Sequence, residues 1–513
     1  MLLILIFTTI LVIAIVHQHF ARKKLPRGPT PLPLIGNLHQ FAWRAWKLGG
    51  IVPAYHTFEK EFGKVFTIWM GPMVTVYISD YDIAHESHIK RANIFSERYA
   101  SGMMNYIREG RGITGSNGDF WQEHRRFALQ TLRGFGMGRN IMEERIMEEY
   151  RYRYSDKAEM KRNQLSRFTD YSKTNMKNGA IEVHAGTFFD LLVGSIINQL
   201  LVSERFEQDD KEFEKLKTSL ALALENFSMI DFFVPTFILE SPLMRWRQKK
   251  IFAPFDFVLE VSKRNIAKRV AQIKNGEHVI EENGNDFVDA YLVKIEKDER
   301  DGMASTFNHE TLAIDLFDLW LAGQETTSTT LTWACACLLN NPEVVKKLRA
   351  ELLKVTGGNR HVSLIDRVET HYLNAVINEV QRIASILNTN LFRRVQQDTV
   401  IDGQPIRAGT ALTTQISMMH TNEQVFKNPA IFDPDRFLEN SSLEKKLIPF
   451  GIGKRACLGE SLARSELYLI LGNLVLEYDL QPMGPVPKIE TITPNGLLRR
   501  SPSYNIRFVP INN

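Results

Sequence analysis

The chain has 513 residues, and 63 Lys and Arg against 59 Asp and Glu leave a formal charge of only +4. That balance excludes the broad basic field of a nucleic-acid-binding protein, and a composition 44% hydrophobic and 10% aromatic excludes a disordered chain. Three cysteines, Cys335, Cys337 and Cys457, cannot build a disulfide framework and fit a reducing compartment for the main body.

The first segment, MLLILIFTTILVIAIV, is broken only by two threonines, and the basic run ARKK follows soon after. The start carries no cation and no small-x-small cleavage site precedes Arg22, so the pattern predicts a retained transmembrane signal-anchor over residues 1–21. Cations after the apolar run place Arg22, Lys23 and Lys24 on the cytoplasmic side. Residues 22–42 read as a basic stop-transfer and a stiff hinge, because Pro26, Pro29, Pro31 and Pro33 bar helix. Residues 43–513 are expected to form one catalytic domain.

KVFTIWMGPMVTVYIS, 64–79, predicts a hairpin around Gly71-Pro72. From about 80 to 380, apolar residues three and four apart predict mostly helix, with loop breaks near 101–118 and 274–286. Strand character returns over 390–417, where Asp402-Gly403 supplies a turn, and again in YNIRFVP near the C-terminus. Early and late strands need each other, so the expected fold class is mainly α with small discontinuous sheets in a single domain.

Within the helical stretch, FWQEHRRF puts Trp121, Arg125 and Arg126 on one amphipathic face. Indole and guanidinium are donors only, which suits an anionic acceptor. Asn308 to Asn340 predicts one long helix ended by Pro342. Midway, in AGQETT, Gly323 removes a side chain so that a ligand could approach the backbone, and Thr326 can bond back to the carbonyl of Ala322 and offer its hydroxyl to a cavity. Cys335 and Cys337 predict core packing. Glu379 and Arg382 stand three apart on one face, and Arg436 in FDPDRF is expected to complete a buried Glu-Arg-Arg cluster clamping an irregular segment.

PFGIGKRACLGE, 449–460, admits two readings. Gly451, Gly453 and Ala456 fit a G-x-G-x-x-A dinucleotide fingerprint; alternatively Cys457 is a thiolate ligand, stabilised by Lys454, Arg455 and the start of the following helix. The first reading puts Pro449 inside a strand and leaves only about 36 residues after Glu477 for further βαβ units, so the ligand loop is favoured.

Together these segments resemble the cytochrome P450 family of haem-thiolate monooxygenases. FGIGKRACLG fits F-x-x-G-x-R-x-C-x-G at Phe450, Gly453, Arg455, Cys457 and Gly459, while AGQETT, EVQR, FDPDRF and WQEHR resemble the oxygen-activation helix, the E-x-x-R, the later arginine segment and the propionate-contacting helix. The anchor and LPRGPTPLPLIGN resemble the microsomal animal members that oxidise drugs and fatty acids. The resemblance implies haem b, iron protoporphyrin IX, with Cys457 as axial ligand of the iron. It implies that Thr326 and Glu325 organise water and protons for dioxygen scission, that Trp121, Arg125, Arg393 and Arg455 hold the propionates, and that Phe450, Gly453 and Ala322 border the cofactor. Arg393, after Phe392, stands where many relatives have histidine.

The same resemblance implies an endoplasmic reticulum membrane protein with its catalytic domain in the cytosol. Electrons would come from NADPH through NADPH–cytochrome P450 reductase, with cytochrome b5 as a second donor, and Lys445, Lys446, Lys454, Arg125, Arg126 and Arg133 are candidates for a basic docking face. Membrane lipid is contacted through the N-terminal helix, and no nucleic acid is a partner. The substrate is expected to be lipophilic (a fatty acid, steroid or xenobiotic), hydroxylated or epoxidised in a pocket drawn from 101–118 (Met103, Met104, Tyr106), 225–233 (Phe227, Phe232, Phe233), the helix before Ala322, residues 386–392 and the turn around Leu497. A haem isomerase working without external electrons and a non-catalytic haem sensor are the alternatives; Glu325-Thr326 favours oxygen activation.

Overall fold

The computed structural model describes residues 2–99, 101–136, 140–154, 176–177, 180–226, 231, 234, 236–281, 284–489 and 498–511. Helices that position the site are α1 (Leu2–Arg22), α2 (Leu38–Lys47), α3 (Ile51–Phe62), α4 (Gly102–Arg108), α5 (Gly118–Gly134), α6 (Ala185–Val202), α7 (Lys211–Asn226), α8 (Arg245–Lys274), α9 (His309–Asn340), α10 (His371–Ala384) and α11 (Glu460–Glu477). The strands are β1 (Val65–Met70), β2 (Met73–Ile78), β3 (Glu97–Arg98), β4 (Met176–Lys177), β5 (Ala180–His184), β6 (Arg393–Arg394), β7 (Thr399–Ile401), β8 (Gln404–Ile406), β9 (Ala411–Thr414), β10 (Tyr478–Met483) and β11 (Asn505–Pro510).

Both expected hairpins form. β1 and β2 pair from Val65↔Ile78 to Met70↔Met73 across the Gly71-Pro72 turn. β7 and β8 join through Asp402 (φ 49°) and Gly403 (φ 71°), the left-handed pair that such a turn demands. The five-stranded sheet, β1-β2-β9-β6-β3, depends on distant sequence: β2 runs parallel to β9, with Thr75 opposite Ala411, and β6 joins β9 to β3. The YNIRFVP segment contributes β11, which pairs with β10 on one side and β5 on the other. The expected helical body with small sheets built from both ends of the chain is therefore what folds.

α9 starts where the Asn308 side chain accepts the Thr311 N–H at 2.8 Å, and it ends before Pro342. Most of its side chains are buried, because α6, α8, α10 and α11 all pack against it. Two local expectations change. The break at 101–118 is partly helix: Ser101 caps α4, so only 109–117 is irregular. Gly323 serves helix packing rather than a ligand, because a Cβ there would lie 2.6 Å from the Ile197 side chain of α6. Cys335 and Cys337 are buried in the core, as expected.

Candidate functional site

The cysteine loop is a closed turn. The Cys457 N–H donates to the Phe450 carbonyl at 2.8 Å, and α11 starts three residues beyond the thiol. Gly453 has φ +80°, and a Cβ on it would lie 2.2 Å from the His88 carbonyl oxygen, so only glycine lets the loop settle on that turn. Cys457 is exposed by area although protein surrounds it, so the surface it offers faces a space inside the protein. Burial pushes its thiol up, and a Gly459 backbone hydrogen bond and the Arg125 charge oppose that rise. The expected stabilising cations are corrected here. Lys454 Nζ donates to Asn93 Oδ1 at 2.6 Å and Arg455 turns to Ser96, Ser116 and Asn117; the cation beside the thiol is Arg125, whose Nη2 donates to the Ala456 carbonyl at 2.7 Å.

Around this loop the fold gathers four arginines: Arg98 from β3, Arg125 from α5, Arg393 from β6, and Arg455. Arg98, Arg393 and Arg455 are 7%, 1% and 5% exposed. Arg393 Nη2 donates to the Ile452 carbonyl at 2.8 Å and Arg98 Nη1 to the Leu391 carbonyl at 3.0 Å. The Arg455 guanidinium carbon sits over the Trp121 ring, 3.6 Å from its centroid. Burial, then the charges of Arg98, Arg393 and Arg125, pulls Arg455 down to about 8, and burial with Arg98 and Arg125 pulls Arg393 well below the usual arginine range. Buried donors are also left over: Trp121 Nε1, Arg393 Nε and Arg455 Nη1 have no hydrogen-bond partner. Buried cations with unused donors are costly unless anions complete them. The two carboxylates of a haem, laid beside the Cys457 thiol, suit that donor set: their oxygens can accept from the three unused donors and offset part of the arginine charge.

On α9, Thr326 Oγ1 donates to the Ala322 carbonyl at 2.7 Å, the back-bond expected from sequence, and Ala322 is exposed on a helix otherwise largely buried. Glu325 is not free: Lys217 from α7 pairs with it and, at 2.9 Å, with Asp190 of α6. Burial works against the Lys217 charge, but Asp190 and Glu325 prevail and hold it above its ordinary value. The neighbouring Thr327 hydrogen-bonds Glu466 of α11, a carboxyl that burial raises to about 8. The Glu-Arg-Arg cluster forms as expected. Arg382 grips both oxygens of Glu379 at 2.8 Å, Arg436 reaches it at 3.2 Å, and the two guanidiniums also hold the carbonyls of Lys427, Pro429 and Ile431.

Some expected groupings are not formed. Arg125 points inward and Lys446 pairs with Asp82 at 2.5 Å, leaving Arg126, Arg133, Lys445 and Lys454 exposed on the basic face. Tyr106 stacks on Phe252 of α8 at 4.1 Å, which fastens α4, and it remains 45% exposed. Phe227, Phe232, Phe233, Leu497 and the Met103 side chain lie outside the described residues. Sequence reasoning missed Arg98, Lys217 and Glu466. Arg98 has no motif around it and Lys217 sits in the evenly charged KEFEKLK, so only their spatial partners give them away.

A mainly helical scaffold with small sheets, a buried arginine wall and a cysteine loop opening a long helix define a haem-thiolate monooxygenase. A family model described as Cytochrome P450 matches residues 26–508, and the chain belongs to the cytochrome P450 family. It is 38% identical over 500 residues to "Probable cytochrome P450 cyp-35D1" of Caenorhabditis elegans, covering 96% of each chain. It is 32% identical to "Cytochrome P450 2C21" of Canis lupus familiaris over 96% of each, and 33% identical to "Cytochrome P450 2C5" of Oryctolagus cuniculus over 99% of each. Members bind haem and incorporate molecular oxygen, using a redox partner and a lipophilic substrate.

Proposed function

We propose that Cys457 is the axial ligand of haem b in a membrane-anchored monooxygenase that hydroxylates or epoxidises a fatty acid, steroid or xenobiotic. The observation that carries this reading is the buried arginine wall with unused donors around the Cys457 loop. Arg98, Arg125, Arg393, Arg455 and Trp121 hold the propionates, with Arg393 in place of histidine. Phe450, Gly453 and Ala322 border the porphyrin. The bound haem supplies the oxygen-activating chemistry, which thiolate ligation favours. Thr326 keeps its hydroxyl proton on the Ala322 carbonyl, so its oxygen lone pairs remain to accept from water in the adjoining space. Glu325, one residue before it, exchanges protons with that water once Lys217 releases it.

Electrons come from NADPH through NADPH–cytochrome P450 reductase, with cytochrome b5 as a second donor, and Arg126, Arg133, Lys445 and Lys454 form the docking face. Residues 1–21 anchor the chain in the endoplasmic reticulum membrane, 22–42 form the basic stop-transfer and hinge, and 43–513 face the cytosol as the catalytic domain. The 21-residue α1 supports this, as do Trp46 (80% exposed) on α2 and Leu243 (85% exposed) before α8, large apolar side chains suited to a lipid interface.

The reduced protein with carbon monoxide should give a red-shifted Soret band that Cys457→Ser abolishes and Cys335→Ser leaves intact. Its absence from folded holoprotein overturns the ligand assignment. Turnover should require NADPH and reductase; turnover of a hydroperoxide without either would point to an isomerase instead.

A further inference from the structure

Where α1 ends, the chain does not simply dangle from a helix. Gln18 donates to the Leu32 carbonyl at 3.2 Å, so the last turns of α1 fold against the strap. The strap is then pinned to β1. Thr67 N–H donates to the Arg27 carbonyl at 2.9 Å and Thr67 Oγ1 to the Pro26 carbonyl at 2.8 Å. Gly28 makes that possible, because a Cβ there would lie 2.0 Å from the Thr67 carbonyl oxygen. Between α1, strap and β1 this leaves a cleft of about 420 Å³.

Its walls carry one sign of charge. His19, Arg22, Lys23 and Arg27 line it together with Phe62 and Trp69, and no acidic residue does. Among the described residues, none of these three lysine and arginine side chains has an ion-pair partner. Cations converging in a concavity with apolar walls focus a positive potential and favour an anion over water. Arg27 is decisive, because the strap that carries it is bonded to Thr67 and so holds it on the cleft. Lys24 is adjacent in sequence but does not line the cleft.

We propose that this cleft binds the phosphate of an anionic phospholipid headgroup, with Arg22, Lys23 and Arg27 on the phosphate and Phe62 and Trp69 against the glycerol and upper acyl carbons. The lipid source rests on the anchor reading above: α1 then leaves the bilayer where headgroup phosphates lie, with the cleft at its end. Free phosphate shares the same chemistry and is separated by the test. Bound lipid would link α1 to the sheet and so fix how the catalytic domain leans on the membrane.

The test uses full-length holoprotein reconstituted in phosphatidylcholine bilayers containing one tenth phosphatidic acid, re-extracted in mild detergent, with retained lipid counted by native mass spectrometry. Wild type should retain phosphatidic acid above its bulk ratio. Arg22→Gln with Arg27→Gln should lower that retention about tenfold or more while keeping the carbon monoxide band; Lys24→Gln should not lower it. No enrichment in wild type, or an equal loss with Lys24→Gln, overturns the cleft, the latter by reducing it to a diffuse basic collar. Complete displacement of the lipid by millimolar inorganic phosphate overturns the lipid assignment. Alkaline carbonate extraction reads the anchor separately: a chain released by carbonate sinks the anchor reading, whereas a chain that stays in the membrane without retaining phosphatidic acid sinks only the cleft.

Discussion

Arg98 and Arg393 stand directly opposite each other across the β3–β6 pair, both buried. Like charges in that position destabilise a sheet unless something negative lies against them. If that is a pair of propionates, Arg393→Gln should loosen haem about tenfold or more, measured as transfer to apomyoglobin. The apoprotein should melt no earlier, since relieved repulsion offsets the lost bonds to Phe95 and Ile452. An apoprotein destabilised as much as the holoprotein would make Arg393 merely structural.

Lys217 holds Glu325 from a different helix. Lys217→Met leaves that carboxylate without its cationic partner. Turnover should fall several-fold somewhere across the kcat–pH profile, and Lys217→Arg should restore it. A profile unchanged in both variants removes Glu325 from proton delivery.

Glu466 is 1% exposed and its carboxyl is raised to about 8 from an ordinary 4.5, by burial first, with Thr327 opposing. A carboxyl raised on folding keeps its proton in the native state while the unfolded chain has lost it. Its contribution is therefore greatest below pH 4.5 and falls as pH rises to about 8. Asp315, raised to about 6, acts with the same sign at lower pH, and buried His420, pulled down to about 3 from 6.5, acts with the opposite sign below about 6.5. The difference between variant and wild type over the window from about 7 to 8 therefore reads Glu466. Glu466→Gln should flatten chemical-denaturation stability across that window and gain on the order of 1–3 kcal/mol at neutral pH. A slope equal to wild type would mean that Glu466 is ionised in the fold.

Among the described residues, Glu379 is the only carboxylate touching both Arg382 and Arg436 in their buried cluster. Glu379→Gln leaves Arg382 uncompensated and Arg436 with only the partly exposed Asp433 at 3.7 Å, and should cost about 3–5 kcal/mol. Far-UV circular dichroism melts should show that loss whether or not haem is bound, which separates the cluster from the propionate wall. A holoprotein-specific effect would place Glu379 in the cofactor site instead.

Much of this arrangement is legible before any coordinates. The long α9, both hairpins, the Thr326 back-bond and the Glu379 cluster follow from periodicity, turn chemistry and hydrogen-bonding capacity, which act over a few residues. Cys457 stands out because it is the one thiol outside an apolar helix. What escapes is set by approach between distant segments. Gly323 looked like room for a ligand, yet Ile197 of α6 fills that space. Lys454 and Arg455 looked like the partners of the thiolate because they precede it, yet rigid bonds to Asn93, Ser96, Ser116 and Asn117 turn them away. Arg98, Lys217 and Glu466 acquire meaning only from partners on other elements.

The parallel pairing of Thr75 with Ala411 also sets a timetable for synthesis. β2 emerges from the ribosome on the order of 20–60 s before β9 can reach it, at usual elongation rates. For that interval the nascent hairpin presents an unsatisfied edge, the kind of surface that recruits strands from other chains. Arg98 waits equally long for Arg393, so cofactor capture belongs to the last stage of maturation, and a chain truncated before β9 should be a substrate for holdase chaperones rather than for haem.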